Sequence, residues 1–213
     1  MIGGGIAGVS AAYHLVEAHP GADVLLLEAE PVLAHHTTGR SAAILLENLS
    51  TVPNRILTRA SVDFLYDTPE DLVDAPLLSP RTVMTVCSEE QSDEMDELLA
   101  EGRLLLSPTV ELTVDEAMGY FPPLRRELIH RAALEPDCAD VDVGALHQAY
   151  VRGFRRAGGQ IATSARMDAA TPDGDGWSLD TTDGNVGADV IVNAAGAWGD
   201  IVAASAGVEP IGL

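Results

Sequence analysis

The chain contains no lysine. All 12 of its Lys/Arg positions are arginine, set against 33 acidic residues, for a net charge of −21. A surface that negative disfavours nucleic acid and anionic membranes as partners, and it repels itself at low salt. The acids are spread along the chain, with one modest cluster at 89–101, so the pattern reads as halophilic adaptation rather than as an acidic docking block. Cysteine is scarce too. Cys87 and Cys138 stand far apart and in no metal-like spacing, which excludes a disulfide framework and predicts reduced, buried or half-buried thiols in a cytoplasmic protein. No apolar run is long enough for a transmembrane segment, and Met1 is followed by a glycine turn instead of the basic and apolar regions of a secretory leader. Aromatics make up only 4% of the chain, yet hydrophobic residues reach 46% of its 213 positions, ample for a core in one large domain or two small ones.

What the chain does have is glycine, placed at its very start. Gly3, Gly5 and Gly8 give the spacing G-x-G-x-x-G. In such a turn the first glycine permits the tight reversal out of a strand, and the second lets backbone approach a pyrophosphate. The third lets the next helix pack closely on the sheet, where its first N–H groups and its dipole hold phosphate charge. The context agrees. Val9 to Ala18 reads as a helix with Val9, Ala12, Tyr13 and Val16 on one face, Pro20-Gly21 stops it, and Val24 to Leu27 is a short buried-type strand. Glu28 closes that strand twenty residues past Gly8, where an acid accepts hydrogen bonds from an adenosine ribose and repels a 2′-phosphate. Only Met1-Ile2 precede the first glycine, so the strand that is normally central is either a stub or is entered part-way.

Further along, His35-His36-Thr37-Thr38-Gly39-Arg40-Ser41 forms a loop able to bring backbone N–H groups and a guanidinium to the same pyrophosphate, with Thr38 or Ser41 as an ordinary helix cap. The paired histidines are read as loop residues and not as a metal site, since adjacent side chains diverge and no third ligand is near in sequence. Ala42 to Tyr66 is expected to be mainly helical, interrupted by Pro53, with a strand over Arg81 to Cys87. Ser88-Glu89-Glu90-Gln91 and Thr113-Val114-Asp115-Glu116 are capping boxes opening two helices, the second ending before Pro122-Pro123. Leu128 to Leu134 is a further strand. Asp140 or Asp142 caps a helix with Val143, Leu146, Tyr150 and Phe154 on its apolar face, ending at Gly158-Gly159. Gln160 to Thr163 is a short strand. An antiparallel excursion follows through Trp177 to Leu179 and Val186, turning at Asp173-Gly174 and Asp183-Gly184. Asp189 to Asn193 reads as a buried strand running into Ala194-Ala195-Gly196-Ala197-Trp198, small residues against which a dinucleotide can lie.

These stretches together resemble the D-amino-acid oxidase-like (DAO) FAD-dependent oxidoreductases over essentially the whole chain. The matching segments are Gly3 to Gly8, His36 to Ala43, Asp140 to Val143 leading to Leu146, and Val192 to Trp198. The His36 to Ala43 loop and Pro76 to Arg81 look most like the D-arginine dehydrogenase branch. The resemblance implies an α/β fold: an FAD-binding, Rossmann-like domain of glutathione-reductase type over 1–45 and 138–213. An inserted α+β substrate-facing subdomain occupies 46–137, the whole truncated at both ends.

It further implies FAD as the cofactor. Gly3, Gly5 and Gly8 would face the pyrophosphate beside Ile6 and Ala7, and Glu28 with Ala29 the adenosine ribose. Thr38, Gly39, Arg40 and Ser41 would line the pyrophosphate-to-flavin side. Met167 would offer backbone to the adenine, and Ala194, Gly196 and Trp198 would pack along the cofactor. The implied reaction oxidises the C–N bond of a (D-)amino acid or related amine by hydride transfer to flavin, leaving an imine. No catalytic residue is assigned, the electron acceptor is open, and no metal is expected. Positions that recognise a guanidinium in the arginine-specific branch match Val83 and Leu49 here, both apolar, so an apolar D-amino acid or another amine is the expected substrate. Two other readings stand beside this one: a noncatalytic remnant unable to retain FAD, and an NAD-dependent Rossmann dehydrogenase.

Overall fold

A computed structural model of the chain describes residues 1–48, 51–104 and 108–213. In chain order its elements are α1 (Ile6–Ala18), β1 (Leu25–Leu27), β2 (Ile44–Leu45), α2 (Val52–Tyr66), β3 (Leu78–Cys87), α3 (Ser92–Gly102), β4 (Val110–Leu112), α4 (Val114–Tyr120), β5 (Arg131–Val141), α5 (Val143–Arg156), β6 (Gln160–Ala162), β7 (Met167–Asp173), β8 (Gly176–Thr181), β9 (Gly184–Ala188) and α6 (Gly199–Ser205). They fall into two units. The first comprises Met1–Ala42, Pro69–Asp74 and Val143–Leu213; the second comprises Ala43–Thr68 and Ala75–Asp142. Among the described residues no helix is long and apolar enough to cross a membrane.

In the first unit Ile2, directly before the glycine turn, enters the sheet. Ile2 bridges Leu27 on one side and Asn193 on the other, both in parallel register. Its N–H donates to Val192 O (2.9 Å), its carbonyl accepts from Ala194 N (2.8 Å), and Gly3 N donates to Leu27 O (2.8 Å). Beyond Leu27 the parallel pair β1–β6 continues the sheet, Leu25 opposite Gln160 and Leu27 opposite Ala162. Asp189 to Asn193 is less regular than the predicted buried strand. Its one bridge is Asn193 to Ile2, and Val190 is 71% exposed. Hydrogen bonds with Ile2 hold its carboxyl end, at Val192 O and Ala194 N.

The helical face read from the sequence is the buried one. Val9, Ala12, Tyr13 and Val16 of α1 are buried, as are Leu146, Tyr150 and Phe154 of α5. The two helices pack with Tyr13 and Tyr150 ring centroids 5.6 Å apart. A Cβ at Gly153 would stand 2.5 Å from the Tyr13 ring, so the approach requires glycine there. Arg152 and Arg156 fix the short segment 69–74 by donating to the carbonyls of Leu72 and Asp71. The predicted antiparallel excursion is the three-stranded β7–β8–β9 meander, with left-handed glycines at Gly174 and Gly184. Its inner face joins Ile2, Leu27, Ala165, Met167, Ala170 and Leu179 in one apolar cluster.

In the second unit β5 is the central strand, antiparallel to β3 along its length and to β2 and β4 at its two ends. It is longer than the predicted strand at 128–134 and runs through Asp140, which pairs with Arg81 and is therefore no helix cap; Asp142 directly precedes α5. The expected helix over 42–66 divides. Ala43 takes a left-handed conformation (φ 54°), Ile44–Leu45 join the sheet, and Pro53 sits in the first turn of α2 instead of interrupting a helix. A proline is well suited to that place, where its missing N–H would have no helical partner. Both capping boxes form, at Ser88 and at Thr113. Cys87 and Cys138 are free and buried, and burial, then Glu135, pushes the Cys138 thiol up to about 11. Leu49 lies outside the described residues; Val83 lies in β3.

Glu135 of β5 is buried at 6% exposure, and burial, with Glu47 adding to it, holds its carboxyl above the ordinary value of 4.5 against the opposing Asn48 backbone N–H. A carboxyl raised on folding binds its proton more tightly in the folded state. Its cost is absent below the ordinary value and grows as pH rises from there through the raised one. Glu135→Gln is expected to be more stable than the parent at neutral pH and to lose that advantage below the ordinary carboxylate range, read by urea unfolding across a pH series.

Candidate functional site

The backbone of Gly4 is the point on which this site is built. Its N–H donates to Glu28 Oε2 (2.8 Å). Its carbonyl accepts from Ala34 N (3.2 Å) and lies 2.9 Å from Nε2 of His147, a fully buried side chain of α5. A carbonyl cannot donate, so Nε2 of His147 carries the proton. Three separate segments thus hold the turn: the end of β1, the loop after it, and α5. Glu28 also accepts from Glu30 N through Oε1 (2.9 Å), which orients the carboxylate with lone pairs to spare.

Each glycine of the motif has its own environment. Gly3 takes φ +106°, and a Cβ there would meet Ala194 O at 2.4 Å. At Gly8 a Cβ would fall 1.9 Å from Gly3 O, so α1 is seated directly on the turn. Around Gly5 the one neighbour is Thr38 Oγ1, at 3.2 Å from a Cβ position. That hydroxyl accepts from Ile6 N (2.9 Å), capping α1 from 32 residues away. Thr38 therefore caps the nucleotide-side helix and not a helix of its own, since only a 3-10 turn, Thr38–Arg40, follows.

Over this turn opens a crevice of about 680 Å³. Of the residues singled out from the sequence, Gly3, Gly5, Ile6, Ala7, Glu28, Ala29, Thr38, Met167, Ala194, Gly196 and Trp198 all line it. Gly8, Gly39, Arg40 and Ser41 do not. Gly8 lies behind the turn, Gly39 abuts Ala34 O, and Arg40 and Ser41 are exposed. Sequence reasoning missed Glu30, His35 and His36 in the wall, Arg166, and His147 beneath the turn. The His147 role had a faint signal, a polar residue next to Leu146 on a helix with an otherwise apolar face. The paired histidines do not diverge as expected from adjacency. A turn at 33–37, with Ala34 at φ 56°, brings their ring centroids to 4.8 Å, and His36 packs against Trp198 at 4.4 Å with the rings tilted by 46°.

A glycine turn from a parallel strand into a helix, an acid ending the second strand, and a crevice at the strands' carboxyl ends define a dinucleotide-binding fold. The comparisons make it specific. The family described as FAD dependent oxidoreductase (DAO) matches residues 1–212. The chain is 28% identical over 216 residues to mitochondrial dimethylglycine dehydrogenase of Rattus norvegicus, covering 98% of this chain and 24% of that protein. It is 24% identical over 207 residues to L-2-hydroxyglutarate dehydrogenase of Indibacter alkaliphilus, covering 95% of this chain and 51% of that one. Its fold superposes on glycine oxidase from Geobacillus kaustophilus with a TM-score of 0.82 at 24% identity, covering 96% of this chain and 56% of the other. The chain belongs to the DAO family of FAD-dependent oxidoreductases, and FAD is the cofactor of that family. It spans about half the length, or less, of the curated relatives named.

Removing the His147 imidazole leaves the Gly4 carbonyl short of a buried donor. His147→Ala is expected to lose about 1–3 kcal/mol of stability. His147→Gln, which keeps an N–H donor on a side chain of comparable length, recovers part of it. Thermal or urea unfolding of the two variants side by side is the check.

Proposed function

We propose that the crevice holds FAD and that this chain is the cofactor-holding portion of an enzyme oxidising the C–N bond of an amino acid, a D-amino acid in the finer reading, or of a related amine. The observation that carries the reading is Glu28. Its carboxylate lines the crevice, fixed by Gly4 N and Glu30 N, with acceptor capacity left for two ribose hydroxyls. The fit extends along the wall. The first-turn amide of α1 at Ala7 suits a diphosphate, with Ile6 N taken by Thr38 Oγ1, the more so because Gly5 presents no side chain there. Met167 flanks the adenine end, and Ala194, Gly196 and Trp198 form the opposite wall.

When bound, FAD supplies a two-electron acceptor for hydride. The chain's own residues bind and orient: Glu28 fixes the ribose, the glycine turn the diphosphate, and Trp198 gives a flat apolar face. The inserted segment 46–137 is the substrate-facing part in this reading. An amine substrate accords with the relatives named for dimethylglycine and glycine. A second reading, oxidation of a 2-hydroxy acid, is favoured by the L-2-hydroxyglutarate dehydrogenase relative. Both share the hydride step and differ in whether the oxidised carbon ends double-bonded to nitrogen or to oxygen, the heteroatom losing a proton in either case.

Purified in high salt and mixed with FAD, the chain is expected to take up one flavin, seen as a shifted visible spectrum after gel filtration. Glu28→Ala, losing charge-assisted hydrogen bonds of about 1.5–3 kcal/mol, should bind roughly ten- to a hundredfold more weakly. Protein that stays colourless at excess FAD would support the noncatalytic remnant and overturn the proposal.

A further inference from the structure

Glu30, His35 and His36 form a cluster that the flavin reading leaves without a task. Each offers a ligand atom, and these atoms all lie within 4.8 Å of one another. We propose that they hold a divalent transition-metal ion of the zinc type at the edge of the crevice, whose wall they share.

The donor set is the first argument. Two imidazole nitrogens and one carboxylate oxygen match zinc sites with an open coordination position, whereas magnesium and calcium require oxygen ligands throughout. Geometry is the second. With metal–ligand distances of about 2.0–2.2 Å, donors around a tetrahedral ion stand roughly 3.5 Å apart. His36 Nε2 and Glu30 Oε1 are already 2.9 Å apart, and His35, whose side chain is exposed, is free to rotate the remaining ångström inward.

Support from behind is the third. Glu30 N is tied to Glu28 Oε1 (2.9 Å), and Ala34, directly before the histidines, donates to Gly4 O (3.2 Å). The Ala34 carbonyl accepts from Gly39 N (3.0 Å), and the His36 ring rests on Trp198. Both arms of the cluster are thereby pinned to the Gly4 turn. A chain carrying −21 also raises the local concentration of cations. The plain alternative is a His36–Glu30 ion pair with His35 as a bystander, and it predicts no contribution from His35.

The test uses the 213-residue chain without FAD, titrated with Zn²⁺ against a chromophoric chelator. The expected result is one bound equivalent, weakened at least about tenfold by Glu30→Gln and by His35→Ala, and unchanged by His19→Ala. Because His35 is exposed, His35→Ala leaves the fold intact, and Zn²⁺ should raise the melting temperature of the parent but not of this variant. Absence of stoichiometric zinc, or zinc binding indifferent to His35→Ala, would overturn the proposal. Flavin uptake does not enter either readout, so its failure is separately visible.

Discussion

The hydrogen bonds that clamp the Gly4 backbone are what the rest of the first unit depends on. A glycine-rich turn has no side chains with which to hold itself, and glycine loses more conformational entropy on ordering than any other residue. Its shape must therefore be imposed from outside. Here Glu28 takes the N–H, while Ala34 and the buried His147 serve the carbonyl. The end of β1, the following loop and α5 are drawn to one residue. The same contacts place the wall of the crevice, since Glu28 and Ala34 belong to it.

Thr38 extends this logic to the helix. The first N–H groups of α1 need acceptors, and the N-cap position is Gly5, which has no side chain to give. Thr38 Oγ1 supplies one from the distant loop. Keeping glycine at the cap leaves the crevice open where a side chain would intrude, and the cost is transferred to a residue able to stay at the rim. Openness at the turn and satisfaction of the helix end are thus compatible only because the loop at 34–40 folds back.

Much of this was legible in the chain. The glycine spacing, the acid at 28, the buried faces of α1 and α5, the capping boxes and the β7–β8–β9 turns all rest on local chemistry, which sequence states directly. The misreadings have a common cause in long-range pairing. Pro53 breaks a helix or starts one according to what precedes it, and pairing of Ile44–Leu45 with β5 decided that. Asp189 to Asn193 has strand composition, but its one bridge is long-range, from Asn193 to Ile2. His147 gave little warning because its acceptor lies 143 residues away. The histidine side chains converge for a local reason: adjacency implies divergence in extended chain, whereas a left-handed Ala34 turns the loop.

The exclusive use of arginine bears on how so acidic a chain stays folded. Each cation here has several acids to serve, and a guanidinium forks where an ammonium cannot. Arg131 reaches Asp96 and Glu111 at 2.7 Å each, joining α3 and β4 to β5. Arg156 engages both the carbonyl and the carboxylate of Asp71, holding 69–74 against α5. Exposed single pairs contribute little to stability, and less in salt. A forked arginine differs in that one ordered side chain fixes two partners, so the entropy of holding it is spent once for two contacts. Such sites add polar anchors where apolar contacts already join the segments, Met95 and Leu99 of α3 on Ala133 of β5 and Leu72 beside Gly153 of α5.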